Sequence, residues 1–103
     1  MKELGDMMRQ AHEMRDRFQR LQEELANMTV EGSSGGGMVS VTANGSQDIV
    51  FVRIGKEAVS LDDIEVLQDL VCSAVNDALA RSRDLMASEV SKISGGILPP
   101  GLL

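Results

Sequence analysis

Apolar residues recur at alternating spacings of three and four through the first 28 residues, the pattern of a helix that packs along a narrow stripe. This pattern predicts a helix over about residues 3–27 whose stripe contacts another helix. Methionine and alanine occupy half of the positions, so the stripe favours an adaptable contact over a long leucine zipper. The stripe consists of Leu4, Met7, Ala11, Met14, Phe18, Leu21, Leu25 and Met28.

The middle of the chain carries the signals of a β-meander. Residues 28–31 and 38–43 contain β-branched residues on either side of the glycine-rich segment 32–37, which predicts two strands joined by a turn. The dipeptide Asn44-Gly45 follows, a strong hairpin signal because both residues accept a positive φ. It leads into a third strand near residues 48–54, which completes a three-stranded antiparallel sheet.

The third strand has the sequence Ile49-Val50-Phe51-Val52-Arg53-Ile54 and is apolar on both of its faces. A sheet face that meets solvent normally carries alternating polar residues. Two helices can cover only one face of this meander, so the second apolar face, or an open strand edge, predicts a partner subunit. We expect an isologous homodimer.

A second long helix is predicted from the Ser60-Leu61-Asp62-Asp63 segment, with the Ser60 hydroxyl as its N-cap, to about Ile93. Gly95-Gly96 ends this helix, and the prolines that follow exclude helix from the tail. The fold class is therefore α+β, in the order α-β-β-β-α, with two long helices. We expect a single domain over residues 1–93 and a Gly/Pro-rich C-terminal tail over residues 94–103.

Composition narrows the class of protein. The 103 residues carry a net charge of −6, which on average opposes nucleic-acid binding. The acidic residues are concentrated in the second helix, however, and in the first 30 residues the positive and negative charges nearly cancel. The single cysteine, Cys72, lies in an apolar setting and is expected to be a buried packing thiol. Short apolar runs and the lack of a signal pattern indicate a cytoplasmic protein with no membrane segment.

No constellation of residues predicts an active site. His12 stands outside the apolar stripe without a second ligand at metal-binding spacing, so it is expected to face solvent. Gly32 to Gly37 lacks the Gly-Lys-Ser/Thr ending of a phosphate loop. The acid pair Asp62-Asp63 fits a helix N-terminus better than acid-base catalysis. We therefore expect no enzyme activity, cofactor, metal or small-molecule substrate.

The arginines of the first helix support two interpretations. Glu13 precedes Arg17, and Asp16 precedes Arg20, by the four residues that favour intrahelical ion pairs, so the charge could serve only to solvate a coiled-coil adaptor that binds a protein partner. Alternatively, Lys2, Arg9 and Arg20 fall within about 20° of one direction on a helical wheel and could follow the phosphates of DNA. The residues alone leave these two functions as close competitors.

Six segments follow one another in a characteristic order along the chain. They are Leu4-Gly5-Asp6-Met7-Met8-Arg9-Gln10-Ala11, Leu21-Gln22-Glu23-Glu24-Leu25, the glycine turn, Val41-Thr42-Ala43-Asn44-Gly45, Asn76-Asp77-Ala78 and Leu98-Pro99-Pro100-Gly101. Their order closely resembles that of the YbaB/EbfC family of bacterial nucleoid-associated proteins, over essentially the whole chain.

The resemblance implies a homodimer joined through the sheet, with long helices that project as arms around double-stranded DNA. It also implies a location in the cytoplasm and nucleoid, non-enzymatic roles in nucleoid organisation and gene regulation, and a set of phosphate-contacting side chains. The candidate DNA-binding residues that the resemblance implies are Lys2, Arg9, Arg17, Arg20 and Arg81. Arg83 is a weaker candidate than these five.

Overall fold

The computed structural model describes residues 2–60 and 62–94, and it confirms the predicted α+β architecture. A long N-terminal helix, a three-stranded sheet and a long C-terminal helix follow one another, with a short helix before the last. The elements are α1 (Lys2–Asn27), β1 (Thr29–Ser34), a 3₁₀ turn (Gly35–Gly37), β2 (Val39–Asn44), β3 (Ile49–Ile54), α2 (Lys56–Val59) and α3 (Ile64–Ser94).

The sheet is an antiparallel meander in the order β1-β2-β3. The central strand β2 is largely buried, and α3 packs across β1 and β2. A register irregularity between Thr42 and Ala43 places a bulge in the β2–β3 pairing. Small and β-branched side chains fill the space between sheet and helix, which suits the close approach of α3 to the sheet. The buried residues of this first core are Val39, Val41, Ala43, Ala58, Ala74 and Ala78.

Gly32 determines how closely β1 approaches α3. A Cβ atom at this position would lie 2.2 Å from the backbone nitrogen of Ala78, far inside van der Waals contact. Gly32 and the following serines are part of β1, so the prediction that the whole segment 32–37 forms the turn was wrong for its first three residues. The turn itself is confined to Gly35–Gly37, where all three residues have positive φ.

Replacing Gly32 with alanine should destabilise the protein by about 3 kcal/mol or more, because the clash is with backbone and the helix must move away from the sheet. Chemical denaturation followed by circular dichroism measures this loss. Gly5→Ala is the matched control, since Gly5 lies in α1 with no atom within 4 Å of the added Cβ. That variant should gain about 0.5–1 kcal/mol from helix propensity. Equal stability of the two variants would contradict the close packing of β1 on α3.

The hairpin between β2 and β3 is longer than the Asn-Gly signal predicted. The Asn44 side chain holds the loop by accepting hydrogen bonds from the backbone nitrogens of Ser46 and Asp48, at 2.9 and 3.0 Å. The positive φ of this loop falls on Gln47, at 67°, and not on Asn44 or Gly45. Gly45 instead lies against α1, where its backbone nitrogen donates to the Leu25 carbonyl at 2.8 Å.

The start of the second long helix also differs from the prediction. Ser60 does not cap α3; its hydroxyl donates to the Lys56 carbonyl at 2.8 Å, at the end of the unpredicted helix α2. The Asp63 carboxylate accepts from the Glu65 nitrogen at 3.0 Å, so Asp63 occupies the capping position. Along α3, Cys72 is exposed, which makes the prediction of a buried thiol wrong. None of the helices within residues 2–60 and 62–94 is long and apolar enough to cross a membrane.

A second core joins the C-terminal half of α1 to the C-terminal half of α3. Leu21 and Leu25 of α1 are buried with Val90 of α3, and Phe18 packs against them. The predicted helix–helix contact of the apolar stripe therefore exists within one chain, but only for this half. The N-terminal half of α1 extends beyond the described end of α3, which gives the molecule its elongated extents of 72 × 23 × 16 Å. We call this half, residues 2–16, the arm.

Candidate nucleic-acid interface

The candidate basic residues of α1 are all exposed to solvent. Lys2, Arg9 and Arg20 share one direction of the helix, and the rise of 1.5 Å per residue separates the first from the last by about 27 Å. The buried residues Leu21 and Leu25 face α3, roughly on the opposite side of the helix. The second core thus fixes the rotation of α1 so that Lys2 and Arg9 lie on the side opposite its buried residues, while Arg20 borders the junction with α3.

Arg17 and Arg20 form no ion pair within the described part of the chain. Among residues 2–60 and 62–94, the ion pairs are Arg9–Asp6, Arg81–Asp77 and Lys92–Glu89. The pairs predicted for Arg17 and Arg20 with the acids four residues earlier are not among them. Both guanidinium groups border a shallow groove at the junction of α1 with Ile93 of α3. Arg9 contacts Asp6 at 3.2 Å, in an exposed geometry that contributes little energy.

Arg81 lies apart from the basic residues of α1. Its Nε atom is 3.3 Å from the Asp77 carboxylate, which also accepts a hydrogen bond from the Ser33 backbone nitrogen at 3.0 Å. Twelve residues, about 18 Å of helix, separate Arg81 from Ile93, the α3 residue beside Arg17 and Arg20. Within one chain, the structure does not bring the five predicted residues into one patch.

Asp77 joins β1 to α3, a role that its sequence context did not predict, because Asp77 belongs there only to an acidic segment and to the motif Asn76-Asp77-Ala78. The hydrogen bond from the Ser33 backbone lowers the pKa of Asp77, and Arg81 lowers it further. Both partners favour the charged carboxylate. The hydrogen bond across 44 residues of sequence could be found only in the folded chain.

Asp77→Asn should destabilise the protein at neutral pH, and its stability deficit should shrink as the pH falls below 4. The pKa of Asp77 is lower in the folded state than in the unfolded state, so its stabilising contribution is full above the unfolded pKa and is lost as the carboxylate protonates. Urea denaturation of both proteins at neutral and acidic pH measures the deficit. A deficit that stays constant with pH would show that the charge of Asp77 is irrelevant.

All six residues of β3 are exposed, and five of them are large and apolar. Phe51 is 61% exposed and Val50 58% exposed, values unusual for residues of a strand. Since β3 is also an edge strand, its outer backbone groups have no partner strand in the described chain. The strand that sequence analysis predicted to be apolar on both faces therefore forms a contiguous apolar surface, which we call the β3 surface.

The described residues also show whether any side chains could together hold a metal ion. Within residues 2–60 and 62–94, no cluster of three or more His, Cys, Asp or Glu side chains could hold a metal ion. His12 is exposed on the arm, as predicted. The features that distinguish this molecule are therefore the projecting basic helix and the β3 surface.

These features define a class of α+β proteins in which a long charged helix extends from a small sheet that carries an apolar edge strand. Residues 1–97 match the model of the YbaB/EbfC DNA-binding family. The chain belongs to this family, which confirms the resemblance found in its motifs. Its function class is accordingly DNA binding, and the family is not known for enzymatic activity.

Curated relatives cover nearly the whole chain. Nucleoid-associated protein TTE0040 of Caldanaerobacter subterraneus subsp. tengcongensis is 48% identical over 99 residues, which cover 96% of this chain and 89% of the relative. A nucleoid-associated protein of Moorella thermoacetica is 48% identical over 98 residues, covering 95% and 94%. The crystal structure of the uncharacterized protein HP0035 from Helicobacter pylori has a similar fold, with a TM-score of 0.73, 27% identity, and coverage of 88% of this chain and 92% of that one.

Proposed function

We propose that two copies of this chain, joined through their β3 surfaces, bind double-stranded DNA mainly through its phosphate backbone, as a nucleoid-associated protein of the bacterial cytoplasm. The observation that carries the proposal is the exposed basic row of α1. Within the described part of the chain Arg17 and Arg20 have no ion pair and Arg9 has only a weak one, so these guanidinium groups can exchange solvent for phosphate at small cost. Membership of a DNA-binding family supports the same conclusion.

The homodimer follows from the cost of leaving the β3 surface in water. An edge strand with five exposed apolar side chains is an aggregation hazard unless another chain covers it. Pairing with a second copy about a two-fold axis would cover both surfaces at once and would present two α1 helices from one compact centre. A duplex held by two arms gains affinity, since binding of the second arm becomes intramolecular.

The contacts we propose carry little base specificity. Arginine and lysine bind phosphates whatever the sequence, and the aromatic residue of α1, Phe18, packs against the second core and not beside the basic row. Any preference for particular DNA would come from groove shape or from the ease of bending. A sequence-tolerant binder of this kind suits roles in nucleoid organisation and in broad effects on gene expression.

Salt dependence tests this function. If Arg9 and Arg20 of both subunits supply four phosphate contacts, the slope of log affinity against log salt should be near −3.6, which is roughly a hundredfold loss between about 50 and 200 mM salt. Fluorescence anisotropy of a labelled duplex of ~30 base pairs, with unrelated DNA as competitor, measures both slope and specificity. Absence of binding at low salt would refute the proposal and favour an adaptor for a protein partner.

A further inference from the structure

The N-terminal half of the apolar stripe on α1 has no cover in the described chain. Leu4 is 61% exposed and Met7 65% exposed, and Ala11 and Met14 continue the same stripe toward the second core. These four residues are spaced as regularly as those that pack against α3. We call them the arm stripe. Their spacing is that of a surface built to be covered.

We propose that the C-terminal tail of the same chain, residues 97–103, docks along the arm stripe. The path of α3 leads there. Ser82 is tied to the Asn44 carbonyl, near the C-terminal end of α1, and eleven residues later Ile93 lies beside Arg17 and Leu21. The two helices therefore run antiparallel, and the chain leaves α3 at the place where the uncovered stripe begins.

The chain after α3 is long enough to follow the uncovered stripe. From Leu21, beside Ile93, to Met14 is about 11 Å of helix, and the uncovered residues from Met14 back to Leu4 span about 15 Å more. The nine residues of the sequence after Ser94 would cover this distance, since they span about 28 Å at 3.1 Å per residue.

The chemistry of the tail matches an apolar stripe. No charged side chain follows Lys92, so docking would bury no charged side chain. Pro99 and Pro100 restrict the free tail and so lower the entropy that docking costs. The methionines of the stripe adapt to an irregular partner. The apolar side chains available for the contact are Ile97, Leu98, Leu102 and Leu103.

This placement is compatible with DNA binding by the same helix. The arm stripe and the row of Lys2, Arg9 and Arg20 lie on roughly opposite sides of α1. A docked tail would cover the apolar side of the arm and leave its basic side open to phosphates. The tail would thus keep two exposed Met-rich arms from associating with each other.

Methionine oxidation by dilute hydrogen peroxide tests the docking, because adjacent residues provide an internal control. Met7 and Met8 are similarly exposed in the described chain, at 65% and 56%, but only Met7 belongs to the stripe. With the tail docked, Met7 in the full chain should form sulfoxide at least about threefold more slowly than Met8. Mass spectrometry of fragment ions separates the two sites.

Two variants of the full chain complete the test. Leu98→Asp/Leu102→Asp should abolish the difference between Met7 and Met8, whereas Leu98→Ile/Leu102→Ile should keep it, because the tail stays apolar. Equal oxidation of Met7 and Met8 in the parent protein would overturn the proposal. Slow oxidation of Met7 that survives the Asp substitutions would also overturn it, since the cover would then be another occupant, such as a second copy.

A disulfide distinguishes a tail from the same chain and one from its partner. In a Cys72→Ser background, Met7→Cys and Leu102→Cys should form an intrachain bond on mild oxidation, and the product should migrate at the mass of one chain in a non-reducing gel. A predominantly cross-linked dimer would overturn docking within one chain. Loss of DNA binding alone would leave both readouts unchanged, so this inference and the proposed function can fail separately.

Discussion

Replacing both Arg9 and Arg20 with alanine should weaken DNA binding by about thirtyfold or more at low salt. In a dimer the double substitution removes four guanidinium groups, and at about 0.5 kcal/mol for each exposed contact the loss is about 2 kcal/mol. The salt slope should become shallower, because up to four fewer counterions are released while Lys2 and Arg17 still contribute. Anisotropy titrations at several salt concentrations measure both quantities, and light scattering should show an unchanged dimer.

The control must remove the same charge from a different side of the molecule. Arg15 lies on the arm but about 120° or more from the basic row, and Lys56 is exposed on α2. Arg15→Ala/Lys56→Ala therefore lowers the net charge equally and should retain most of the affinity and of the slope. If the two double variants lost affinity equally, general electrostatic attraction would explain binding and the assignment of Arg9 and Arg20 would be wrong.

Replacing Phe51 with aspartate should convert the protein from a dimer to a monomer. A carboxylate placed in the centre of an apolar interface would have to be desolvated without a partner, twice in a symmetric dimer. Light scattering should then give the 11.1 kDa of one chain in place of twice that mass. DNA affinity should fall by about a hundredfold or more, because the two arms would no longer be linked.

Met8→Asp is the control for this second prediction, since it adds the same charge to an exposed apolar residue of the arm, away from β3. It should remain a dimer. Circular dichroism should show that Phe51→Asp retains its helices, as expected for a residue outside both cores. A Phe51→Asp protein with the mass of a dimer would show that the subunits associate through another surface, and the β3 surface would then need a different explanation.

Much of this fold could be predicted from periodicity. The alternating spacing of three and four residues between apolar positions predicted the first helix over about residues 3–27, and the structure has it at Lys2–Asn27. Runs of β-branched residues between glycine-containing turns predicted three strands in the correct order. The exposed β3 surface was also predicted, since a strand that is apolar on both faces needs more cover than two helices supply. The rotation of α1 followed from its stripe, so the common direction of Lys2, Arg9 and Arg20 was a property of the sequence as well.

Local signals failed where several competed. Ser60 and Asp63 are both good capping residues, and only the insertion of α2 decided that Asp63 begins the helix. Gly32 reads as a turn residue, but the approach of Ala78 makes it part of a strand. Cys72 has apolar neighbours in sequence, yet it lies on a face of α3 that the sheet does not cover. In each case the outcome depends on which segments meet in space.

The sequence by itself determined the two long helices, the three strands, the apolar edge strand and the basic row, because each depends on the spacing of residues within one segment. Only the tertiary structure decided which half of the apolar stripe packs against α3 and which half stays uncovered. It also decided that Asp77 joins Ser33 of β1 to Arg81, away from the arginines of α1. These relations depend on contacts between segments distant in sequence, which are fixed only when the sheet and both helices pack together.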